Sequence, residues 1–399
     1  MHDSPVPADH SAGGDTLAGA EIVFLSWRDT RNPEGGGAER YLEQMAAGLV
    51  ARGAKVTVFC AAHAAAPTEE VVDGIHFVRR GGKLSVYLQA LRALRRGDLG
   101  RPDLVVDVQN GLPFFSRLAT RAPVVVLVHH VHREQWPVVY PGVTGRIGWW
   151  VERRLAPWLY RREQYVAVSR ATRGELRDLG VTGDRVAVVH NGTDPALPTA
   201  QRRSATPLLT TVGRLVPHKQ VEHAIDAAVA LRATHPGLQL RVVGSGWWEQ
   251  ELRAHAAAAD PAGEVVVFEG QVDEQRKHDV YAEAWLQLLP SLKEGWGLVV
   301  GEAGMHGTPT VAYADAGGTR ESIEHDVSGL LVDSEPAFRA AVAALLDDDE
   351  RRAKLADGAV RVSHTFTWAH AQESFAVVLR EVLAGRRVAA QDPVEDPEA

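Results

Sequence analysis

Glu294 and Glu302 stand eight positions apart in the stretch "KEGWGLVVGEAGMHGTPTVAYADAGG", Lys293 to Gly318. Between them a Gly-Trp-Gly turn leads into a helix expected to begin near Leu298. Gly295 and Gly297 let backbone N–H groups approach a ligand closely, and the helix N-terminus then points at the same place. Glu302, about one turn into that helix, can accept hydrogen bonds from two adjacent hydroxyls, such as those of a ribose. Glu294, ahead of the turn, can hold a sugar hydroxyl at the other end of the same ligand. One anionic ligand with hydroxyls at both ends accounts for the interval. The competing reading makes both glutamates partners of a helix dipole.

Four other stretches carry candidate chemistry. In "VGRLVPHKQ", Arg214 and Lys219 flank a Pro217 loop that leads into a helix. Two fixed cations beside a helix N-terminus suit a diphosphate, although two solvated surface cations would look the same. In "RVVGSGWWEQEL", Gly244 and Gly246 follow a strand and precede a helix, a weak signal because tight turns use glycine for backbone reasons alone. In "WRDTRNPEGGGAERYLEQM", Gly35, Gly36 and Gly37 open a helix. The third glycine of a G-x-G-x-x-G fingerprint would fall on Arg40, which counts against a dehydrogenase. In "VVVLVHHVHREQW", His129 and His130 end a buried strand and His132 follows. Successive side chains on an extended chain point to opposite faces, so no metal is assigned. A histidine donating to a sugar hydroxyl or an oxyanion is better supported, beside the alternative of a structural histidine.

The elements that must position these residues alternate along the chain. "EIVFLSW", "AKVTVFC", "PDLVVDV", "APVVVLVHH", "YVAVS" and "RVAVVHNG" read as buried strands, with helical stretches such as "GAERYLEQMAAGLVARG" between several of them. The pattern pauses around "TDPALPTAQRRSATP" and restarts with "LLTTVGRL", "LQLRVVGSG", "EVVVFEG", "AWLQLLPS", "TPTVAYA" and "SGLLVD". Repeated β-α alternation implies two α/β domains, each a mostly parallel sheet with helices on both faces. Ligands bind beyond the carboxyl ends of such strands, so two facing domains make a cleft.

The totals bound the partners. The 399 residues are 45% hydrophobic and 24% charged, and the net charge of −8 leaves no bulk basic field for nucleic acid. Cys60 is the only cysteine, so an intrachain disulfide is excluded. Residues 1–20 lack the pattern of a signal peptide, and no uncharged apolar run is long enough to span a bilayer. A cytoplasmic location follows as the expectation.

These motifs in this order resemble the family 4 retaining glycosyltransferases, over about residues 21 to 385. The most specific part is E-x7-E, Glu294 to Glu302, within "PSLKEGWGLVVGEAGMHGTPTVA"; "VGRLVPHK", "VVHNGTD", "VAVSRAT" and "GGGAE" sit at the expected points. The resemblance implies a GT-B fold: two Rossmann-like doubly wound domains facing across a cleft, with a C-terminal helix crossing back to the first. The boundaries expected are a disordered leader at 1–20, an acceptor domain at 21–195, a linker at 196–207, a donor domain at 208–365, a crossing helix at 366–386 and an acidic disordered tail at 387–399. It implies transfer of a sugar from a UDP- or GDP-sugar to an acceptor hydroxyl, retaining and metal-independent, with no cofactor. The alternatives are a sugar-nucleotide 2-epimerase of the same architecture and a non-catalytic nucleotide-sugar-binding protein.

The resemblance also implies roles for matching positions. Arg214 and Lys219 would bind the donor diphosphate and offset charge on the departing group. Glu302 would hold the ribose, Glu294 the donor sugar, and the backbone amides of Trp296, Gly297 and Leu298 would touch sugar and phosphate. Gly36 and Gly37 would close on the phosphates, and Gly244 belongs to the same donor-binding set. His129 would donate to the donor sugar near the reacting carbon, with His130 as the competing assignment. Asn191 and Ser169 would line the cleft, and Val272 would meet the base. The attacking hydroxyl would enter on the leaving-group face and be deprotonated with help from the departing phosphate. Trp296 stands where relatives often carry Phe.

The acceptor, whether small molecule, glycan or glycolipid, falls to loops of the first domain that carry no readable motif. Within it, "TGRIGWWVERRLAPWLYRR", residues 144–162, mixes Trp149, Trp150, Trp158 and Tyr160 with five arginines. The expectation adopted is a helix packing its tryptophans in the interdomain core. Peripheral contact with the inner face of an anionic membrane is the alternative.

Overall fold

Short runs of three to six residues, most of them apolar and buried on both faces, build two sheets in the computed structural model, which describes residues 16–394. The first sheet holds β1 (Glu21–Leu25), β2 (Lys55–Cys60), β3 (Glu69–Val72), β4 (Ile75–Arg79), β5 (Leu104–Gln109), β6 (Val124–Val128), β7 (Gln164–Ala167) and β8 (Val186–Val188), ordered β3-β4-β2-β1-β5-β6-β7-β8. The second holds β9 (Leu208–Val212), β10 (Gln239–Val243), β11 (Val266–Gly270), β12 (Leu286–Leu289), β13 (Thr310–Tyr313) and β14 (Gly329–Val332), ordered β11-β10-β9-β12-β13-β14. Every pairing is parallel except β3 with β4. Fully buried strands such as VVVLV in β6 suit this arrangement, because helices cover both faces of a parallel sheet.

Strand order reverses between β1 and β5 in the first sheet and between β9 and β12 in the second. A crevice opens beyond the carboxyl ends of strands at each reversal. The residues just past β1, β5, β9 and β12 therefore face one another across the cleft.

The β3–β4 hairpin lies outside the strand set expected from sequence. Asp73 (φ 49) and Gly74 (φ 81) make its two-residue turn, in the left-handed conformation that matches the twist of a hairpin. It carries Glu70, which pairs with Arg79; Arg79 in turn bonds the buried Asp29 at 2.5 Å. Asp29 also accepts from the Asn32 N–H, so this buried network anchors the loop ahead of Gly35.

The helix Trp368–Leu383 crosses back to the first domain and lies along the helix Gly37–Ala51. Phe375 is fully buried against Phe24, and Arg52 pairs with Glu373 at 2.5 Å. A Cβ on Gly48 would sit 2.5 Å from Gln372 Cγ, so the two helices touch where the side chain is smallest.

Three expectations change. Residues 16–20 are no free leader, since Leu17 is completely buried in the first core; residues 1–15 lie outside the described residues. Residues 387–394 do not form a disordered tail: Gln164 bonds both the N–H and the carbonyl of Val388, and Val188 N–H donates to the Ala390 carbonyl. Their apolar side chains, Val388 and Ala390, are what the charge pattern concealed; 395–399 lie outside the described residues. The stretch 196–207 is fastened to the second domain, where Arg203 donates to Thr308 Oγ1 and to the carbonyls of Ala284, His306 and Gly307.

Candidate active site

The second domain brings its cations to the cleft on a loop that cannot wander. Gly213 N–H donates to the Val243 carbonyl and Leu215 N–H to the Ser245 carbonyl, gripping Arg214 from both sides. Gly244 and Gly246 make this possible: a Cβ on either would fall about 2 Å from the carbonyl of Gly213 or Leu215 (2.0 and 2.1 Å). Gly244 and Gly246 thus position Arg214 by close backbone contact. The Arg214 side chain extends toward the first domain, where a Cβ on Gly36 would lie 3.5 Å from its Nε. It has no hydrogen-bond or ion-pair partner among the described residues, and water still reaches it through the cleft. The surrounding protein lowers its pKa, against the pull of Glu39.

Lys219 is held differently. Its Nζ lies 2.5 Å from Glu294 Oε1, which also accepts from Ser291 Oγ at 2.7 Å. Glu294 is mostly buried, its N–H and carbonyl tied to Ala316 and Gly318. The turn after it packs on the first domain, for a Cβ on Gly295 would lie 2.5 Å from the His129 carbonyl. Gly297 (φ 90) then starts the helix Leu298–Met305 without any side-chain cap. Its first N–H groups remain available for an anion. Leu298 meets Gly37 across the cleft, where a Cβ would stand 2.8 Å from Leu298 Cδ1. Two helix N-termini therefore converge on Arg214, one from each domain.

The Trp296 ring does not enter the cleft. It is buried between His190 and Phe366, each 4.8 Å away between ring centroids, so its larger ring stiffens the hinge side of the turn. Glu302 accepts from Lys277 (3.2 Å) and Tyr281 (2.9 Å), which fix its carboxylate one turn inside the helix. Val272 packs half-buried beside Tyr281 and Val243, at the far end of the same edge.

From the first domain come the histidines. His129 is buried with its Nε2 unpartnered, its ring edge-on to Tyr41 at 5.4 Å. Burial, with the nearby His132, lowers its pKa to about 4, so the ring is neutral at pH 7. His130 is engaged instead: Gln135 meets its Nε2 at 3.0 Å and its ring stacks on His132 at 4.2 Å. His132 bonds Asn110 and Glu152, so the three rings go to three sets of partners. His129, His130, Gly37, Glu39, Gln109 and Arg214 line one cavity.

Asn191 is buried at the hinge with its Oδ1 unpartnered, beside Gly192, which presses on Trp368. Ser169 does not line the cleft: it is fully buried and caps the helix Arg170–Asp178 by accepting from Thr172 N–H. Glu321 from the second domain receives the N–H groups of Arg170 and Ala171 and bonds His190, clamping the domains together. Sequence reasoning missed Glu321, which no local pattern marks. It also missed His218, whose pKa falls to about 3 through burial and the charges of Lys219 and Arg214. His218 sits inside "VPHK", so its neighbourhood with two cations was visible.

Residues 198–361 match the family model described as glycosyl transferases group 1, and residues 35–197 match the one described as glycosyltransferase family 4. A D-inositol 3-phosphate glycosyltransferase of Xylanimonas cellulosilytica is 31% identical over 389 residues, covering 84% of this chain and 89% of that protein. The protein of the same description from Acidothermus cellulolyticus is 36% identical over 54% of this chain and 52% of its own length, so that match spans about half of the relative. The fold is shared with the Anabaena protein HepE, solved in complex with UDP-glucose: TM-score 0.71, 20% identity, covering 90% of this chain and 98% of that one.

Proposed function

The chain belongs to the family 4 glycosyltransferases, and on that premise we propose that it moves a sugar from a nucleotide-diphosphate sugar to an acceptor hydroxyl with retention of configuration. The observation that carries this is Arg214: a guanidinium with no hydrogen-bond or ion-pair partner among the described residues, aimed at Gly36 and placed between the uncapped N-terminus of the helix Leu298–Met305 and that of the helix Gly37–Ala51, where Glu39 accepts from Gly36 N–H. A fixed cation left unpaired in a cleft favours an anion that arrives from solution, and a diphosphate has the size and charge to meet Arg214, Lys219 and both helix ends together.

In this reading the donor lies along the second domain. Glu302, already fixed by Lys277 and Tyr281, accepts from the ribose hydroxyls, and the base lies toward Val272. Glu294 holds the donor sugar while keeping Lys219 directed at the phosphate. The neutral His129 donates from its free Nε2 to a sugar hydroxyl; a charged ring there would oppose the positive charge that develops on the sugar. The bond between anomeric carbon and diphosphate oxygen breaks while the acceptor oxygen bonds the same carbon from the same face. The acceptor proton passes to the departing diphosphate oxygen. Arg214 and Lys219 neutralise the charge left on the diphosphate, the service a divalent ion gives in other transferases.

UDP-glucose, held by the Anabaena protein, is the first donor to test. The inositol phosphate named for the bacterial relatives makes a phosphorylated polyol the first acceptor. Incubation with UDP-, GDP- and ADP-sugars should release nucleotide diphosphate, faster when an acceptor is present. Interconversion of the donor sugar without release would point to the epimerase, and binding without either to a carrier. Absence of binding to every donor would remove the proposal.

A further inference from the structure

Large apolar side chains more than one-third exposed are concentrated in one place. Of sixteen such side chains among the described residues, six lie within 138–158: Val138, Val139, Val143, Ile147, Trp150 and Trp158, the last four 56–61% exposed. They belong to a hairpin of the first domain, the short helix Gln135–Val139 followed by a continuous helical run from Val143 to Leu159. Val143, Ile147, Trp150 and Trp158 recur at intervals of three, four and eight residues, which keeps them on one face. The π-helical turn Val151–Leu155 preserves that alignment, leaving Gly148, Glu152 and Ala156 buried on the opposite side. The tryptophans are therefore not in the interdomain core; only Trp149 turns inward, against the first-domain core.

The inner face is held rigidly. A Cβ on Gly148 would lie 2.2 Å from the Trp136 ring, and one on Gly145 would lie 2.1 Å from the Tyr140 carbonyl. Glu152, fully buried, accepts from Trp136 Nε1 at 2.6 Å and from His132 N–H at 3.1 Å. The outer face so presented carries charge of one sign. Between Trp136 and Arg162 the only acidic residue is that buried Glu152, while Arg146, Arg153, Arg154, Arg161 and Arg162 are exposed or at the helix end and enter no ion pair among the described residues. At the edge of this face Arg153 turns toward Glu134, Glu175 and Asp178, with which it lines a cavity of about 290 Å³, so the outward charge is chiefly that of Arg146, Arg154, Arg161 and Arg162. A basic, aromatic-bearing surface on a chain of net charge −8 selects a partner that is both anionic and apolar just beneath its charge. No described helix is long and apolar enough to cross a bilayer, so the geometry is that of a helix lying on one.

We propose that the outer face of residues 138–162 docks on an anionic lipid bilayer. Glu152 links this face through His132 to His130 at the cleft, so a docked membrane would bring a lipid-borne acceptor to the first-domain side of the site. That placement of the acceptor rests on the transfer reading above; the docking does not.

Flotation with liposomes tests it, using vesicles of 30% phosphatidylglycerol in phosphatidylcholine beside vesicles of phosphatidylcholine alone. Wild-type protein should float with the anionic vesicles at low salt and be largely released as salt shortens the Debye length. Each of R146Q and R154Q should lower partitioning about fivefold. The I147S/W150S/W158S variant should lower it by more than about tenfold while leaving circular dichroism and donor turnover unchanged, since these side chains are exposed and outside the cleft. L88S, on the other exposed basic helix of the first domain, should float like wild type. Wild type remaining with the bottom fraction, floating equally on neutral vesicles, or losing flotation through L88S instead would overturn the proposal. So would a dimer in sedimentation equilibrium that the triple serine variant abolishes, because the face would then belong to a second copy.

Discussion

Replacing Arg214 by Ala separates a ligand-binding cation from a structural one. The side chain has no protein partner among the described residues, and its loop is held by backbone bonds of Gly213 and Leu215 that the substitution leaves intact. Truncation should therefore change stability by no more than about 0.5 kcal/mol, roughly 1–2 °C in Tm for domains of this size. The catalytic cost should be much larger. Loss of one preorganised group facing developing negative charge costs roughly 10²–10³ in kcat, about 2.7–4 kcal/mol. The assay is nucleotide diphosphate release from the best donor, with kcat and KM measured separately, alongside thermal melts with and without UDP. Wild type should gain stability on adding UDP, and R214A should lose most of that gain. R214K should recover part of the rate, because it restores the charge without the planar fork. A kcat/KM within threefold of wild type, together with a fall in Tm above about 4 °C, would make Arg214 a tie between domains and refute the reasoning.

Two further outcomes follow from the site. K219A removes the partner of a mostly buried carboxylate, so it should lower stability by about 1–3 kcal/mol as well as activity; the double variant K219A/E294Q should regain the stability in a melt but not the turnover. His129 and His218 are held neutral in the fold, with pKa values of about 4 and 3, against an ordinary value of 6.5. Below pH 6.5 the unfolded chain takes up protons that the fold refuses, so stability should fall by about 1.4 kcal/mol per pH unit for each such group as pH drops toward 4. H129N should make the decline of Tm with acidification shallower, and an unchanged slope would show that this ring is not held neutral.

Much of the architecture was legible because it follows local rules. Twelve strands showed as short apolar runs, since a strand covered on both faces has no reason to alternate. In the missed pair, β3 is the exposed antiparallel strand at the sheet edge and β4 is a buried strand whose apolar run is broken by His76; the Asp73-Gly74 turn between them is the readable signal for both. The tail was misread for a related reason: "RRVAAQDPVEDPEA" looks polar, yet two small apolar residues within it find a place beside β8. Tryptophans at 144–162 misled in the opposite sense, because hydrophobicity suggested the core while the glycines Gly145 and Gly148 face inward.

The sequence by itself determined where backbone could turn, run straight or begin a helix, and which residue types stood at those places: glycines before two helices, Arg214 and Lys219 after a strand, two glutamates around a turn. These depend on neighbours within a few positions. The tertiary structure alone decided which groups are occupied and which are free. Lys219 is given to Glu294, His130 to Gln135 and Ser169 to a helix end, whereas Arg214 and the Nε2 of His129 are left open. Partner choice is set by distance in space between segments far apart along the chain, and no spacing within one segment encodes it.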